Sequence, residues 1–393
     1  MKQVRTIPRL VTLPDRSFFL FGPRGIGKST WLSQVLSQAK RFDLLKTDLQ
    51  LRFNAHPEEL EALIGSNPPE WIWIDEVQKV PRLLDEVHRL METHRLKFAL
   101  SGSSARKLKR EGANLLAGRA ITKNMEQFSY GELGHHYNLS QAIQYGLLPL
   151  IYLYPKDAPE TLQTYVHTYI KEEIKEEGVV RKLDPFLRFL EIAGRFNGQQ
   201  VNASNIARDA MISRSNIDNY FGILSDTHLG YFLSPYRPNL KVREVTHPKF
   251  YWFDPGVARA ASNLVYEPMD EIWAGTALET ILFHEFRVYN EYSKKHRGLF
   301  FYRTTLGSEI DFIIELAKQK TSKPAEIICL EIKYSKKWKR EWFKPILSLQ
   351  ERKGINIIKA YGIYMGTETL TYHGFEVLPI LTFLEKLFDG HIF

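Results

Sequence analysis

The sequence predicts an α/β chain that opens with a doubly wound parallel sheet and closes with a second α/β unit. Three observations carry this. Short apolar runs at 17–21 (SFFLF), 71–74 (WIWI) and 97–100 (KFAL) alternate with helical spacing at 28–38 and 81–92, and strands alternating with helices imply a parallel sheet. The first run leads at once into the Gly/Pro-rich turn 22–27. Later, strand-like runs at 299–304, 309–315, 326–333 and 357–364 lie between helical stretches at 276–289 and 380–388. The 393 residues leave room for two to three domains.

Composition excludes several classes. The chain is 44% apolar and 25% charged, as in ordinary globular proteins. No apolar run approaches the roughly 18 residues that span a bilayer; the longest, Gly146 to Tyr154, is interrupted by Pro149. The N-terminus lacks the apolar stretch of a secretion signal. A cytoplasmic protein without a membrane partner is expected. The single cysteine, Cys329, excludes an internal disulfide and a cysteine-based zinc site; on an apolar strand it reads as a small buried residue. The histidines show no HExxH spacing, and His135 and His136 are expected on opposite sides of any regular element. The net charge of +8 favours nucleic acid as a partner without establishing it.

Gly22-Pro23-Arg24-Gly25-Ile26-Gly27-Lys28-Ser29, followed by Thr30, matches G-x-x-x-x-G-K-[ST]. The glycines let backbone N–H groups curl around phosphate oxygens, and the helix beginning at Lys28 aims its positive end at the same anion. Lys28 would neutralise the β- and γ-phosphates of ATP, and Ser29 would ligate Mg²⁺. Asp75 closes the strand WIWI, where a carboxylate orients the Mg²⁺ water shell. Glu76 follows and would position the attacking water. Ser101 or Ser103, ending the third strand, would sense the γ-phosphate or simply cap a loop. Arg119 in NLLAGRA is read as an arginine finger acting on a neighbouring subunit of a homo-oligomer, or as a surface ion-pair residue.

GPRGIGKST, WIWIDEVQKVPRL, FALSGSSARKL and LLAGRA, with FSYGEL and HPKFYWFDPGVA downstream, resemble the bacterial and archaeal AAA-type P-loop ATPases that carry a C-terminal DUF4143 domain. The resemblance spans essentially the whole chain. It implies ATP binding and a multidomain architecture.

The middle of the chain changes pattern. NASNIA, then ISRSNI, then YFGIL read as helix, turn, helix, with Ser213 or Ser215 capping the second helix. Ile217, Tyr220, Phe221 and Leu224 share one face by helical spacing. A hairpin with PYRPNLKVRE at its tip follows. Together they resemble a winged helix-turn-helix, which reads DNA or serves as a packing module. Arg214, Asn216, Arg237, Lys241 and Arg243 are the candidate DNA contacts.

Glu331-Ile332-Lys333 is an E-x-K, a pattern expected about once by chance in this length. Glu173-Ile174-Lys175, inside the charged helix IKEEIKEE, is such a chance copy. The copy at 331 ends an apolar strand, so Glu331 and Lys333 project together. Upstream, Glu309-Ile310-Asp311 begins another strand, and TALETILFHEF carries Glu279 on a helix. Helix, strand, strand in this order resembles the PD-(D/E)XK nuclease fold. The resemblance implies a hard divalent ion, Mg²⁺ or Mn²⁺, on Asp311 and Glu331, with Glu279 completing the shell. Lys333 would position the attacking water, and Tyr302-Arg303 would lie near a phosphate. The run from Lys333 to Lys344 surrounds one acid with six basic residues, interleaved with Tyr334, Trp338, Trp342 and Phe343. It is either a nucleic-acid grip or a solvated amphipathic segment whose aromatics are core. Arg106 to Arg110 is read as a solvated basic loop.

The expected organisation is a P-loop ATPase core over 1–125, a helical segment over 126–194, a winged helix-turn-helix over 195–258 and a restriction-endonuclease-like domain over 270–393. The expected function is Mg²⁺-dependent ATP hydrolysis that regulates DNA binding or cleavage by the C-terminal domain. The alternative is an ATP-switched DNA-binding or protein-interaction scaffold with an inactive nuclease fold.

Overall fold

Strands β1 (Phe18–Phe21), β2 (Lys40–Asp43), β3 (Trp71–Asp75), β4 (Lys97–Ser101) and β5 (Ile121–Asn124) form one sheet in the order β2-β3-β4-β1-β5. Every neighbouring pair is parallel. This is the mixed α/β, parallel-sheet architecture that the sequence predicts. The three expected strands are the central ones, buried along nearly their whole length. Strands β2 and β5 were not foreseen. They are edge strands, with one buried residue in β2 and none in β5, so they lack the apolar run that marks a central strand. The computed structural model describes residues 7–110, 116–176, 183–237, 247–320 and 323–393.

Parallel pairing puts the carboxyl ends of β1, β3 and β4 on one edge, where ligands bind in open α/β sheets. The helix after β1 spans Lys28–Val35 and is shorter than its sequence pattern. Ala39 N–H bonds the Leu36 carbonyl in the turn that leads to β2.

The region between the sheets is mainly helical, as expected. His135 and His136 depart from expectation: their rings lie 3.9 Å apart between centroids. They sit in the tight 3₁₀ turn Gly134–His136, which does not send neighbours to opposite faces. The apolar run from Gly146 to Tyr154 holds the short helix Pro149–Tyr152.

Among the described residues a second sheet has nine strands in the order β13-β14-β12-β11-β10-β9-β7-β8-β6. Its first three members are β6 (Gln199–Gln200), β7 (Gly230–Pro235) and β8 (Lys249–Trp252). Helices Leu183–Arg195, Ala203–Ala210 and Arg214–Asp226 accompany them. Ser213 caps the last of these helices, accepting from Asn216 N–H. The remaining strands are β9 (Gly298–Arg303), β10 (Glu309–Ala317), β11 (Ala325–Lys333), β12 (Ile355–Tyr364), β13 (Leu370–Tyr372) and β14 (Phe375–Pro379). β9, β10 and β11 form an antiparallel meander, and β12 then joins β11 in parallel. β7 pairs with β9 in parallel, Ser234 opposite Phe300. The two groups of strands therefore make one continuous sheet.

One face of this sheet is covered by the 22-residue helix Glu271–Tyr292 and by Ile380–Phe388, with Leu278, Phe286, Phe312 and Phe383 in their shared core. The other face packs Ile313 and Cys329 against Trp338, Phe343 and Ile346. Among the described residues no helix is long and apolar enough to cross a membrane.

The long helix also clasps the segment that leaves the first sheet. His284 Nε2 lies 2.9 Å from the Phe128 carbonyl, Glu285 accepts from Tyr130 N–H at 3.0 Å, and Tyr292 donates to the Asn124 carbonyl at 3.0 Å.

Candidate functional site

The phosphate loop leaves β1 at Phe21. At Gly22 (φ 148°) a Cβ would lie 2.2 Å from the Met125 carbonyl oxygen, so only glycine fits. Gly27 (φ 92°) turns the chain into the helix at Lys28, and Trp31 N–H bonds its carbonyl. Lys28 is buried and donates to the Gly22 and Pro23 carbonyls at 2.6 and 3.0 Å. Arg24 stacks on Tyr169, while Tyr165 donates to the Arg24 carbonyl at 2.9 Å.

Asp75, at the end of β3, is the hub of this edge. Ser29 Oγ donates to Oδ2 at 3.0 Å and Ser101 Oγ to Oδ1 at 2.5 Å. The loop, the β3 carboxylate and the β4 serine thus meet, as their spacing predicts. Two partners were missed by sequence reasoning. Arg41 on β2 donates to Asp75 Oδ2 at 2.7 Å and lies over the Trp73 ring. Trp73 donates its indole N–H to Ser101 Oγ at 2.9 Å, which commits the serine proton to Asp75.

Glu76 follows with φ 59°, a left-handed conformation uncommon for a non-glycine residue. Gln78 donates to Glu76 Oε2 at 2.5 Å and to Ser103 Oγ at 3.2 Å. A cleft of about 450 Å³ opens beside the loop, lined by Gly25 to Trp31 and by Glu76. Its apolar wall includes Ile7, Leu150, Leu153 and Tyr154. The apolar run that sequence alone left without a role thus faces the nucleotide loop. Arg119 is distant from it. It precedes β5, whose first residue pairs with Phe18 at the start of β1, and it bonds Glu92.

The second cluster lies where β10 and β11 part. Their ladder ends at Phe312 opposite Leu330. Beyond it Asp311 Oδ2 accepts the Ile332 N–H at 2.7 Å, so a side chain replaces the strand bond. Lys333 Nζ lies 2.5 Å from Glu331 Oε1 and 3.6 Å from Asp311 Oδ2. Burial, reinforced by Asp311, pushes Glu331 well above the ordinary carboxylate range. Burial opposes the charge of Lys333, but Asp311 and Glu331 raise it above the usual lysine value.

Glu279, on the long helix, accepts from Tyr251 O–H at 3.1 Å. Burial, with Asp311 and Glu309, pushes it up to about 7 against the pull of Lys249. Sequence reasoning missed Lys249 and Tyr251. Both come from β8, roughly 30 to 80 residues before the carboxylates in the chain, inside the HPKFYWFDPGVA stretch, which carries the family resemblance but no signal of a site. Among the described residues no group of three His, Cys, Asp or Glu side chains is arranged to hold a metal ion.

Tyr302 is buried in the core around Trp338 and Phe343, while Arg303 pairs with Glu309 at 3.2 Å. Trp338 and Phe343 are also core, and Tyr334 is exposed. Arg214 is exposed, 4.0 Å from Asp218. Lys241, Arg243 and most of the hairpin tip lie outside the described residues, as do the side chains of Lys109, Arg110, Glu173 and Lys175.

The parallel sheet and its glycine loop define a P-loop nucleotide-binding unit. Residues 14–134 match the family described as an AAA domain, which makes this unit an ATPase-type domain. Residues 136–267 match a domain of unknown function, DUF8612, and residues 274–383 match another, DUF4143. An uncharacterized protein of Mycobacterium tuberculosis is 22% identical over 308 residues, 76% of this chain and 67% of its own length. An uncharacterized protein of Mycobacterium bovis is similar to the same extent.

Proposed function

We propose that the protein is an ATP-driven DNA-processing enzyme, in which nucleotide state controls the access of DNA to a metal-dependent phosphodiester-cleaving site in the C-terminal domain. The observation that carries this reading is the Asp311–Ile332 contact at the fork of β10 and β11. It brings Asp311, Glu331 and Lys333 together after a helix that carries Glu279, an order that resembles that of a PD-(D/E)XK nuclease and supports this reading. The buried Glu331 Oε2 has no hydrogen-bond partner among the described residues, a feature that suits a cation ligand. Mg²⁺ keeps several waters and is held by one or two carboxylates plus substrate phosphates, so Asp311 and Glu331 are the carboxylates that would hold it. Such an ion would supply Lewis-acid stabilisation of the phosphoryl oxygen. Lys333 would orient the nucleophilic water.

At the other site Lys28 neutralises ATP phosphates, Ser29 and Asp75 hold the Mg²⁺ shell, Glu76 orients water and Ser101 senses the γ-phosphate. Arg119 serves a neighbouring subunit's nucleotide, because it stands at the end of the sheet away from its own loop. Residues 195–258 act as a winged helix-turn-helix connector, supported by the order helix, strand, helix, helix, strand, strand over 183–252. Its exposed Arg214 and the neighbouring Asn216 are its candidate DNA contacts.

The test is cleavage of supercoiled plasmid and single-stranded DNA with Mg²⁺ or Mn²⁺, with and without ATP. Cutting that Lys333→Ala abolishes, and whose ATP dependence Lys28→Ala abolishes, is the expected result. A second reading, an ATP-switched scaffold without cleavage, is favoured by the contact of Lys333 with both carboxylates. It predicts a folded, ATP-binding protein that cuts nothing.

A further inference from the structure

Lys249 lies on β8, before the C-terminal domain in sequence, yet its ammonium sits among that domain's carboxylates. Its Nζ is 2.5 Å from Glu309 Oε1 and 3.8 Å from Glu279 Oε2. The residue is only 4% exposed, and a charge so far out of water persists only among opposite charges. The Phe301 ring lies 5.4 Å from the ammonium. Tyr251, two residues along the same strand and so on the same face, bonds the Glu279 oxygen that Lys249 approaches. One strand therefore supplies both partners of Glu279 Oε2.

Asp311 and Glu331 meet around Lys333 at the other end of this cluster. Among the described residues, the buried carboxylate oxygen of the cluster that has no hydrogen-bond partner is Glu331 Oε2, on a residue 5% exposed.

We propose that Lys249 is the built-in cation of this site, standing where a second divalent ion would bind, so that the site takes a single Mg²⁺ or Mn²⁺ at Asp311 and Glu331. The proposal rests on the metal-dependent reading of the C-terminal domain. Lys249 is a positioning residue: it holds Glu279 and Glu309 and directs the ion to the other pair.

The test is a Mn²⁺ titration of the full chain without nucleotide, read from the electron paramagnetic resonance signal of the free ion. The chain carries Asp75→Asn, so that the ATP site adds no ion. The parent and Lys249→Arg should each bind one ion, lost with Asp311→Asn. Lys249→Met should bind two, because Glu279 and Glu309 then lose the ammonium that excludes a second cation, keeping only Tyr251 and Arg303. A parent that binds two ions overturns the proposal without recourse to any Lys249 variant. A folded Lys249→Met chain that still binds one ion overturns it too, while leaving the metal-dependent reading intact. A parent that binds none removes that reading and the proposal with it.

Discussion

The Arg9 guanidinium donates to the Ile26 carbonyl inside the phosphate loop at 2.7 Å. The same side chain pairs with Glu132 at 2.9 Å, and both groups are almost wholly buried. Glu132 closes a capping box with Ser129, in the segment clasped by the long helix. One buried arginine therefore ties the loop to that segment. Breaking a buried pair from one side costs about 3–5 kcal/mol. Arg9→Met should lower unfolding stability by about that much in urea titrations and weaken nucleotide binding. A variant of unchanged nucleotide affinity would show that the Arg9–Ile26 bond does not shape the loop.

Lys28 donates to two carbonyls of its own loop, so phosphate must draw it away from partners it already has. The gain is the difference between a neutral acceptor and an anionic one. Hydrogen bonds to charged groups contribute about 1.5–3 kcal/mol, which is roughly a ten- to hundredfold change in affinity. Calorimetric titration with ATP should show Lys28→Ala weaker by that factor. A loss below threefold would mean that the backbone cradle alone holds the phosphates.

The contrast between these sites and their sequence signals is instructive. Ser29, Asp75 and Ser101 were legible because each follows or ends an apolar strand at a fixed offset, and the parallel sheet brings those ends together. Arg41 and Gln78 were not. Arg41 lies on an edge strand whose polar pattern reads as loop, and Gln78 acts through a turn with no periodicity. The E-x-K gained meaning from its strand, but its second lysine, Lys249, arrives by the β7–β9 pairing that fuses two segments into one sheet. Long-range pairing of that kind leaves no local trace in sequence.

His284 should make stability fall in mild acid. Burial pushes it down to about 4, below the roughly 6.5 of an unfolded histidine. Between those values the unfolded chain binds a proton that the native chain refuses. Stability from this group is therefore present above pH 6.5 and is lost as pH falls toward 4, by about 3 kcal/mol in all. Asp254 works in the opposite direction: burial pushes it up to about 6, so the native chain gains relative stability as pH falls from 6 toward 3.8. The two effects overlap in a whole-protein curve. The informative quantity is the difference between wild type and His284→Gln, measured by urea unfolding from pH 4.5 to 7.5. That difference should shift against wild type as pH drops, and a flat difference would contradict the assignment.

Arg287 joins all three parts of the chain at one buried point. Its guanidinium bonds Glu126 Oε1 at 2.5 Å and lies over the Tyr231 ring, while Tyr231 O–H reaches Glu126 at 3.1 Å. Glu126 follows β5, Tyr231 lies on β7 and Arg287 on the long helix. Burial alone would raise Glu126, but Arg287, helped by His284 and His228, holds it below the ordinary carboxylate value. Its stabilising share is therefore present above the unfolded carboxylate value near 4.3 and is lost as pH falls through the lower native value. Arg287→Met leaves the Glu126 charge buried without its main partner and should cost about 3–5 kcal/mol. Glu126→Gln added to it removes that charge and should recover much of the loss, so the two substitutions must be strongly non-additive in a double-mutant cycle. Additive losses would mean that Arg287 stabilises through its stacking on Tyr231 rather than through Glu126. The same cycle read in nucleotide affinity tests whether the three-way junction transmits nucleotide state. A coupling that appears in stability but not in ATP binding makes it a static joint, whereas coupling in both makes the long helix, which also carries Glu279, the physical connection between the two sites.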